Sequence, residues 1–399
     1  MKAADPRLFH NLYGPKRPRI SFKKGDFIDY VLMTLLSASA IYLSYGPFSA
    51  MSLIGLVLCV VMMAAFIFRH GVELSVPLIA RRPQDILYMV VYKFQNMTGA
   101  YLFALGTLIL ENVLIYLTPT WPHHVSLMRT IALYLFYFHF IALTAYRTAI
   151  LIAHLRKREH IREVMSQTTW RRFLRKQPNV SLEILHAYVT GVLTHMVLLI
   201  PWFVVINYCK FSIIFLPLIC VINYITQVKY FKVHNAWFYR DHWLGHNSEL
   251  EFVYLHGTHH DALPCGLIGV AGNGHLEGLL RHVLAFPTQF FNPVMAFVVF
   301  TLIVVADITS HQYVPGVYPR LTRGFHSVAQ HSTHHFGRLE PYSFGLNVDR
   351  PGISDAVKRL FKLPSELRNS IELDVELTGF QWDNPSYRRY LGLVERYQK

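Results

Sequence analysis

The sequence predicts an all-α fold, a polytopic membrane helical bundle with a cytosolic, histidine-rich metal-binding cap. Three observations predict it. Hydrophobic residues make up 53% of the 399-residue chain, and mean hydropathy is +0.29, above what an ordinary soluble domain carries. Apolar runs near the ~20 residues that cross a bilayer recur along the chain. Of the 22 histidines, 13 fall between His234 and His335, so the polar chemistry is concentrated in one block.

The N-terminal tail, 1–26, is basic and has no compact apolar core before a small-residue cleavage site. It is expected to be a cytosolic tail rather than a signal peptide. Apolar runs at 27–45 and 48–68 then form a helical hairpin with Gly46-Pro47 at its tip. Residues 70–98 mix apolar and basic character and are expected along the cytosolic interface. The next runs are 99–117 and 130–152. Glu111 is a carboxylate inside the third run, where an ionisable group is a functional candidate, although a snorkelled or hydrogen-bonded Glu near a helix end explains it as well. His139 and His195 are single histidines on apolar helices and are expected to be hydrogen-bonded packing residues rather than ligands. Residues 153–180 read as a cytosolic amphipathic helix, either a solvated face on lipid headgroups or a docking surface for an acidic electron carrier. Runs at 188–208 and 211–228 form a second hairpin, with Asn207–Lys210 at its tip.

Charge sets the orientation. The net charge is +14, and its basic residues cluster beside the apolar runs. From Arg147 to Lys176 there are nine basic residues against two acidic ones. The turns at Tyr45–Phe48, Thr118–His124 and Asn207–Lys210 carry a single Lys. The positive-inside rule therefore puts both termini and the basic loops in the cytosol, of a bacterial inner membrane or the endoplasmic reticulum. Attraction to anionic headgroups accounts for the juxtamembrane charge, and no nucleic-acid partner is expected. The four cysteines, Cys59, Cys209, Cys220 and Cys265, lack metal or redox spacing and are assigned to packing.

The histidine block contains His242-x-x-x-His246 and two copies of H-x-x-H-H, His256/His259/His260 and His331/His334/His335. Residues three and four apart share a helix face, so each motif aims two or three imidazoles at one point. Neutral imidazole suits iron, zinc, copper or nickel. The motifs supply eight histidines, with His326, His311 and His275 in reserve. One structural zinc is satisfied by about four ligands, so this number implies two metals or a wasteful cluster; a set of surface or core histidines with no metal is the bland alternative. Asp241, Glu249, Glu251, Asp261 and Glu277 are candidates to accept the second ring N–H of a ligating histidine; plain surface acidity is the alternative for each. Gly266–Gly274 lacks a phosphate-binding pattern and reads as a close-packed turn.

A parity argument constrains the apolar run 283–306. His242–His260 and His326–His335 can share a centre only on one side of a membrane. The run is too short for two full spans, and Pro287 and Asn292-Pro293 break it near its first half. A bent, re-entrant or shallow hairpin packed against other helices is expected. The chain then divides into a tail (1–26), N-terminal transmembrane helices with a basic interfacial segment (27–180), a catalytic unit (181–345) and a cytosolic C-terminal cap (346–399).

The two H-x-x-H-H motifs, the preceding H-x-x-x-H and their expected cytosolic side resemble the fatty acid hydroxylase/sterol desaturase superfamily, over about residues 180–345. The segment His256–Pro264 looks like the second histidine box of the hydroxylase branch, and His326 stands where that branch often has a further ligand. The resemblance implies a membrane-bound enzyme holding two iron ions, with zinc as a substitute in purified protein, that uses O2 on a lipid C–H bond. Hydroxylation is the first expectation and desaturation the next. The His-Pro-Gly-Gly of relatives with a fused haem domain is missing, so electrons are expected from a separate donor of ferredoxin, rubredoxin or cytochrome b5 type. The runs within 27–152 match no pattern of that family. Two readings of other classes compete: a metal transporter, which needs ligands within several spans, and a zinc-stabilised membrane scaffold without catalysis.

Overall fold

Apolar helices of unequal exposure build the protein, as a computed structural model describes it over residues 98–118, 123–166, 179–247 and 287–311, with isolated positions at 31, 34–40, 42, 57, 61, 314 and 317. The elements are α1 (Thr98–Leu117), α2 (His123–Arg156), α3 (Arg158–Ser166), α4 (Val180–Tyr208), α5 (Leu216–Asn247), a 3₁₀ turn (Pro287–Phe290) and α6 (Pro293–Ser310). There is no strand among the described residues. Helices α1, α2 and α4 are long and apolar enough to cross a membrane.

Burial sorts these helices. About half of the apolar window of α4 is inside the bundle (53%), against 28% for α1 and 22% for α2. α4 is therefore the central post. The outer faces of α1, α2 and α5 expose Leu102, Ile109, Tyr134, Ile141, Val221 and Ile225. Contiguous apolar surface on that scale calls for an apolar surround.

Cross-contacts fix the helix directions. Phe136 meets Trp202 and Phe203 at ring-centroid distances of 5.2 and 4.8 Å, while Thr148 bonds Tyr188 at 2.9 Å. α2 and α4 are thus antiparallel. Phe138 meets Phe297, His139 bonds Thr301 and Tyr146 bonds Thr309, so α6 runs parallel to α2. Tyr230 lies against Gly99 and Phe103, and the early part of α5 lies near Glu111 through Asn292. α5 is therefore antiparallel to α1. At Gly99 a Cβ would meet the Tyr230 hydroxyl at 2.9 Å, so glycine lets the ring lie close against α1. The bundle has two distinct ends: one holds the α1–α2 and α4–α5 connections, and at the other α2, α5 and α6 all finish.

Local chemistry explains the boundaries. Asn179 caps α4 by accepting from Leu182 N at 3.1 Å, and Asn292 caps α6 by accepting from Val294 N at 3.2 Å, with Pro293 in the first turn. The break expected at Pro287 and Asn292-Pro293 is present. The run 283–306 is corrected in one respect. Its bend lies at the start, and beyond the bend a single 18-residue helix reaches Ser310, about 27 Å at ~1.5 Å per residue. The described part of that run therefore holds one helix and not a hairpin.

Two other boundaries shift. The expected helix over 153–180 is divided: α2 continues to Arg156, the chain adjusts at Lys157, and α3 occupies Arg158–Ser166. The span expected at 211–228 starts at Leu216 and continues as one 32-residue helix to Asn247. The runs 27–45 and 48–68, the segment 70–97 and the C-terminal cap fall almost wholly outside the described residues; positions 34–40 are helical.

Candidate metal centre

α5 carries the first histidine motif out of the apolar bundle. Because Leu216–Asn247 is one uninterrupted helix, His242 and His246 stand one turn apart on it, with Asp241 beside them in sequence. The His242 side chain is buried, its ring edge-on to Phe238 four residues earlier at 5.6 Å. For Asp241 and His246 the backbone alone is described. His311 ends α6 and is buried. Its Nδ1–H donates to the Asp307 carbonyl at 2.7 Å, and the Asp307 carboxylate lies 3.6 Å from the same nitrogen. Burial pushes the His311 imidazole down to about 4, against the raising influence of the Asp307 carbonyl. A neutral ring whose Nδ1 is tied to a carbonyl presents Nε2 as its lone-pair nitrogen, the form a metal takes.

α5 and α6 run toward the same end, so His242 and His311 lie toward one pole of the bundle. The other predicted residues, His256, His259, His260, His275, His326, His331, His334, His335, Asp261 and Glu277, with Glu249 and Glu251, lie outside the described residues. Among the described residues no three His, Cys, Asp or Glu side chains converge as a metal site.

The apolar bundle holds a polar chain that motif spacing does not reveal. Arg147 Nη1 reaches His195 Nδ1 at 2.9 Å, His195 Nε2 faces His139 Nε2 at 3.0 Å, and His139 Nδ1 meets Thr301 Oγ1 at 2.9 Å. A guanidinium only donates. His195 therefore accepts at Nδ1 and carries its proton on Nε2. That proton is given to His139 Nε2, which leaves the His139 proton on Nδ1 for Thr301. Both rings are neutral and their tautomers opposite. The expectation that His139 and His195 hydrogen-bond rather than ligate holds, but they are a pair and not single residues. Arg147, counted with the cytosolic basic cluster, is instead inside α2 and 2% exposed. Asp307 on α6 is its nearest opposite charge and Tyr188 lies beside it. His154, also on α2, is buried with Nδ1 on the Ile150 carbonyl at 2.8 Å. Cys209 and Cys220 are free and partly buried.

The fold defines a helical bundle with three helices of membrane-crossing length and composition. No protein-family model, no curated protein and no solved structure matches this chain.

Proposed function

We propose that the protein is a membrane-bound di-iron oxygenase that acts on a C–H bond of a lipid, hydroxylation being the expected outcome, with O2 and an external electron donor. The observation that carries this reading is the H-x-x-x-H and paired H-x-x-H-H set within a hundred residues, beside apolar helices. His242, His246, His256, His259, His260, His331, His334 and His335, with His311, His326 and His275 in reserve, would hold the ions. Bound iron supplies the oxidising power that an unactivated C–H bond demands and that no side chain has.

Two features of the described residues fit such a donor set. His311 is neutral, with Nδ1 bonded to a carbonyl, and His242 is buried on a helix that brings His246 one turn below it. Burial beside Phe238 keeps bulk water from the His242 ring. The exposed apolar faces of α1, α2 and α5 would let a lipid approach sideways from the bilayer. The positive-inside pattern puts the centre on the cytosolic side, where a soluble electron donor docks.

Elemental analysis of detergent-purified protein tests the proposal. About two iron atoms per chain are expected, as a di-metal centre requires, with loss of bound metal and of oxidised lipid product in His259→Ala and His334→Ala. Two zinc atoms with no oxygen uptake would favour the scaffold reading, because zinc has no redox chemistry. Metal flux in proteoliposomes would favour a transporter. A metal-free, folded wild-type protein would overturn the assignment.

A further inference from the structure

A second polar site lies at the opposite end of the bundle, and the oxygenase reading leaves it without a role. Glu111 is on α1, 1% exposed among apolar helices. Its Oε1 accepts from the Ser212 amide at 2.8 Å and from Asn292 Nδ2 at 3.2 Å. Its Oε2 is buried with no hydrogen-bond partner among the described residues. Asn292 also donates its backbone N–H to Asn223 Oδ1 at 3.0 Å, and Asn223 Nδ2 is likewise buried without a partner. One residue, Asn292, therefore clamps a carboxyl on α1 to a carboxamide on α5, and each keeps one unsatisfied polar atom. Buried polar atoms are as a rule hydrogen-bonded.

The two oxygens of Glu111 are not equivalent. Oε1, with two N–H donors, is the acceptor oxygen. An ionised Oε2 would place negative charge in an apolar interior with no donor or cation on it, the arrangement that burial penalises most. A proton on Oε2 removes that charge and turns the atom into a donor. A water oxygen can accept from Oε2–H.

We propose that Glu111 is a proton-binding site, a neutral carboxylic acid at neutral pH whose Oε2 proton is shared with a small polar guest, water. The titratable groups facing it are His124 on α2, whose Nδ1 lies 2.7 Å from Ser212 Oγ, and the Cys220 thiol on α5. Ser212 Oγ also receives the Ile214 and Phe215 amides. From α6 the facing group is Asn292, which does not titrate. Among the described residues α4 turns no titratable side chain to it.

Dicyclohexylcarbodiimide, which reacts with protonated carboxyls in apolar surroundings, tests the site in the full-length protein reconstituted in liposomes. The expected result is an adduct mapped by mass spectrometry to Glu111 at neutral pH, weakening as pH rises, unaffected by sodium, and missing in Glu111→Gln. Infrared difference spectra of the wild type should show a protonated carboxyl band that Glu111→Gln lacks. Because Glu111 lies at the opposite end of the bundle from His242 and His311, metal content should be the same in both. A folded wild-type protein with neither adduct nor band would overturn the proposal. Protection by sodium at constant pH would also overturn it, since the guest would then be a cation on an ionised carboxylate.

Discussion

Arg147 shows how a single side chain governs its neighbours. Its guanidinium sets the tautomer of His195, which sets that of His139, so three helices are joined by bonds of one polarity. The chain is a lock rather than a proton wire, because arginine does not surrender its proton. Removing one partner of a buried charge arrangement strands the other. Arg147→Met should therefore destabilise the protein by about 3–5 kcal/mol, and Arg147→Met/Asp307→Asn should recover part of the loss. Unfolding in detergent measures both, and a double variant no more stable than the single one would show that Asp307 is not the counter-charge. None of this is legible in sequence. His139 and His195 are 56 positions apart, and what makes them partners is the register of two antiparallel helices. Apolar periodicity does not specify that register. His242 and His246 were legible because their spacing is local and one helix carries both.

At the scale of the element, the turn before α6 does the most. Asn292 caps the helix, bonds the α1 carboxyl and donates to α5. Asn292→Ala should cost about 1 kcal/mol for the cap and about 1 kcal/mol for the lost side-chain bond to Glu111 Oε1, which keeps the Ser212 amide, while the backbone bond to Asn223 stays. Asn292→Asp should keep the cap but place a second carboxyl against Glu111, lowering stability as pH rises and both acids tend to ionise. Thermal unfolding of the two variants across pH separates these effects, and a pH-independent Asn292→Asp would sink the second. The break at Pro287 and Asn292-Pro293 was visible in the sequence because proline chemistry is local. The lengths of α5 and α6 were not. Apolar windows detect the greasy part of a helix, whereas hydrogen bonding carries α5 on through Lys229 to Asn247, where the composition has turned polar. For the same reason the cut between α2 and α3 at Lys157 was missed, as both sides are basic and helix-forming.

The arrangement of the whole molecule rests on direction. α5 and α6 finish at the pole away from the α1–α2 connection, so the chain leaves by α5 and returns along α6 toward the same side. The sequence predicts a hairpin within 283–306, and a single helix stands there instead; the shared side of the α5 and α6 ends is the arrangement that a common metal centre requires. It makes a measurable demand. In a background with Cys59, Cys209, Cys220 and Cys265 replaced by alanine, a cysteine at Thr120 should react with an impermeant maleimide in intact cells. Cysteines at Ser248 and Gln312 should react only once the membrane is opened. Labelling of Ser248→Cys and Gln312→Cys from opposite sides would mean that α6 does not end on the membrane face where α5 ends. The histidine motifs on either side of it would then be separated by the membrane, and no common metal centre would be geometrically open to them.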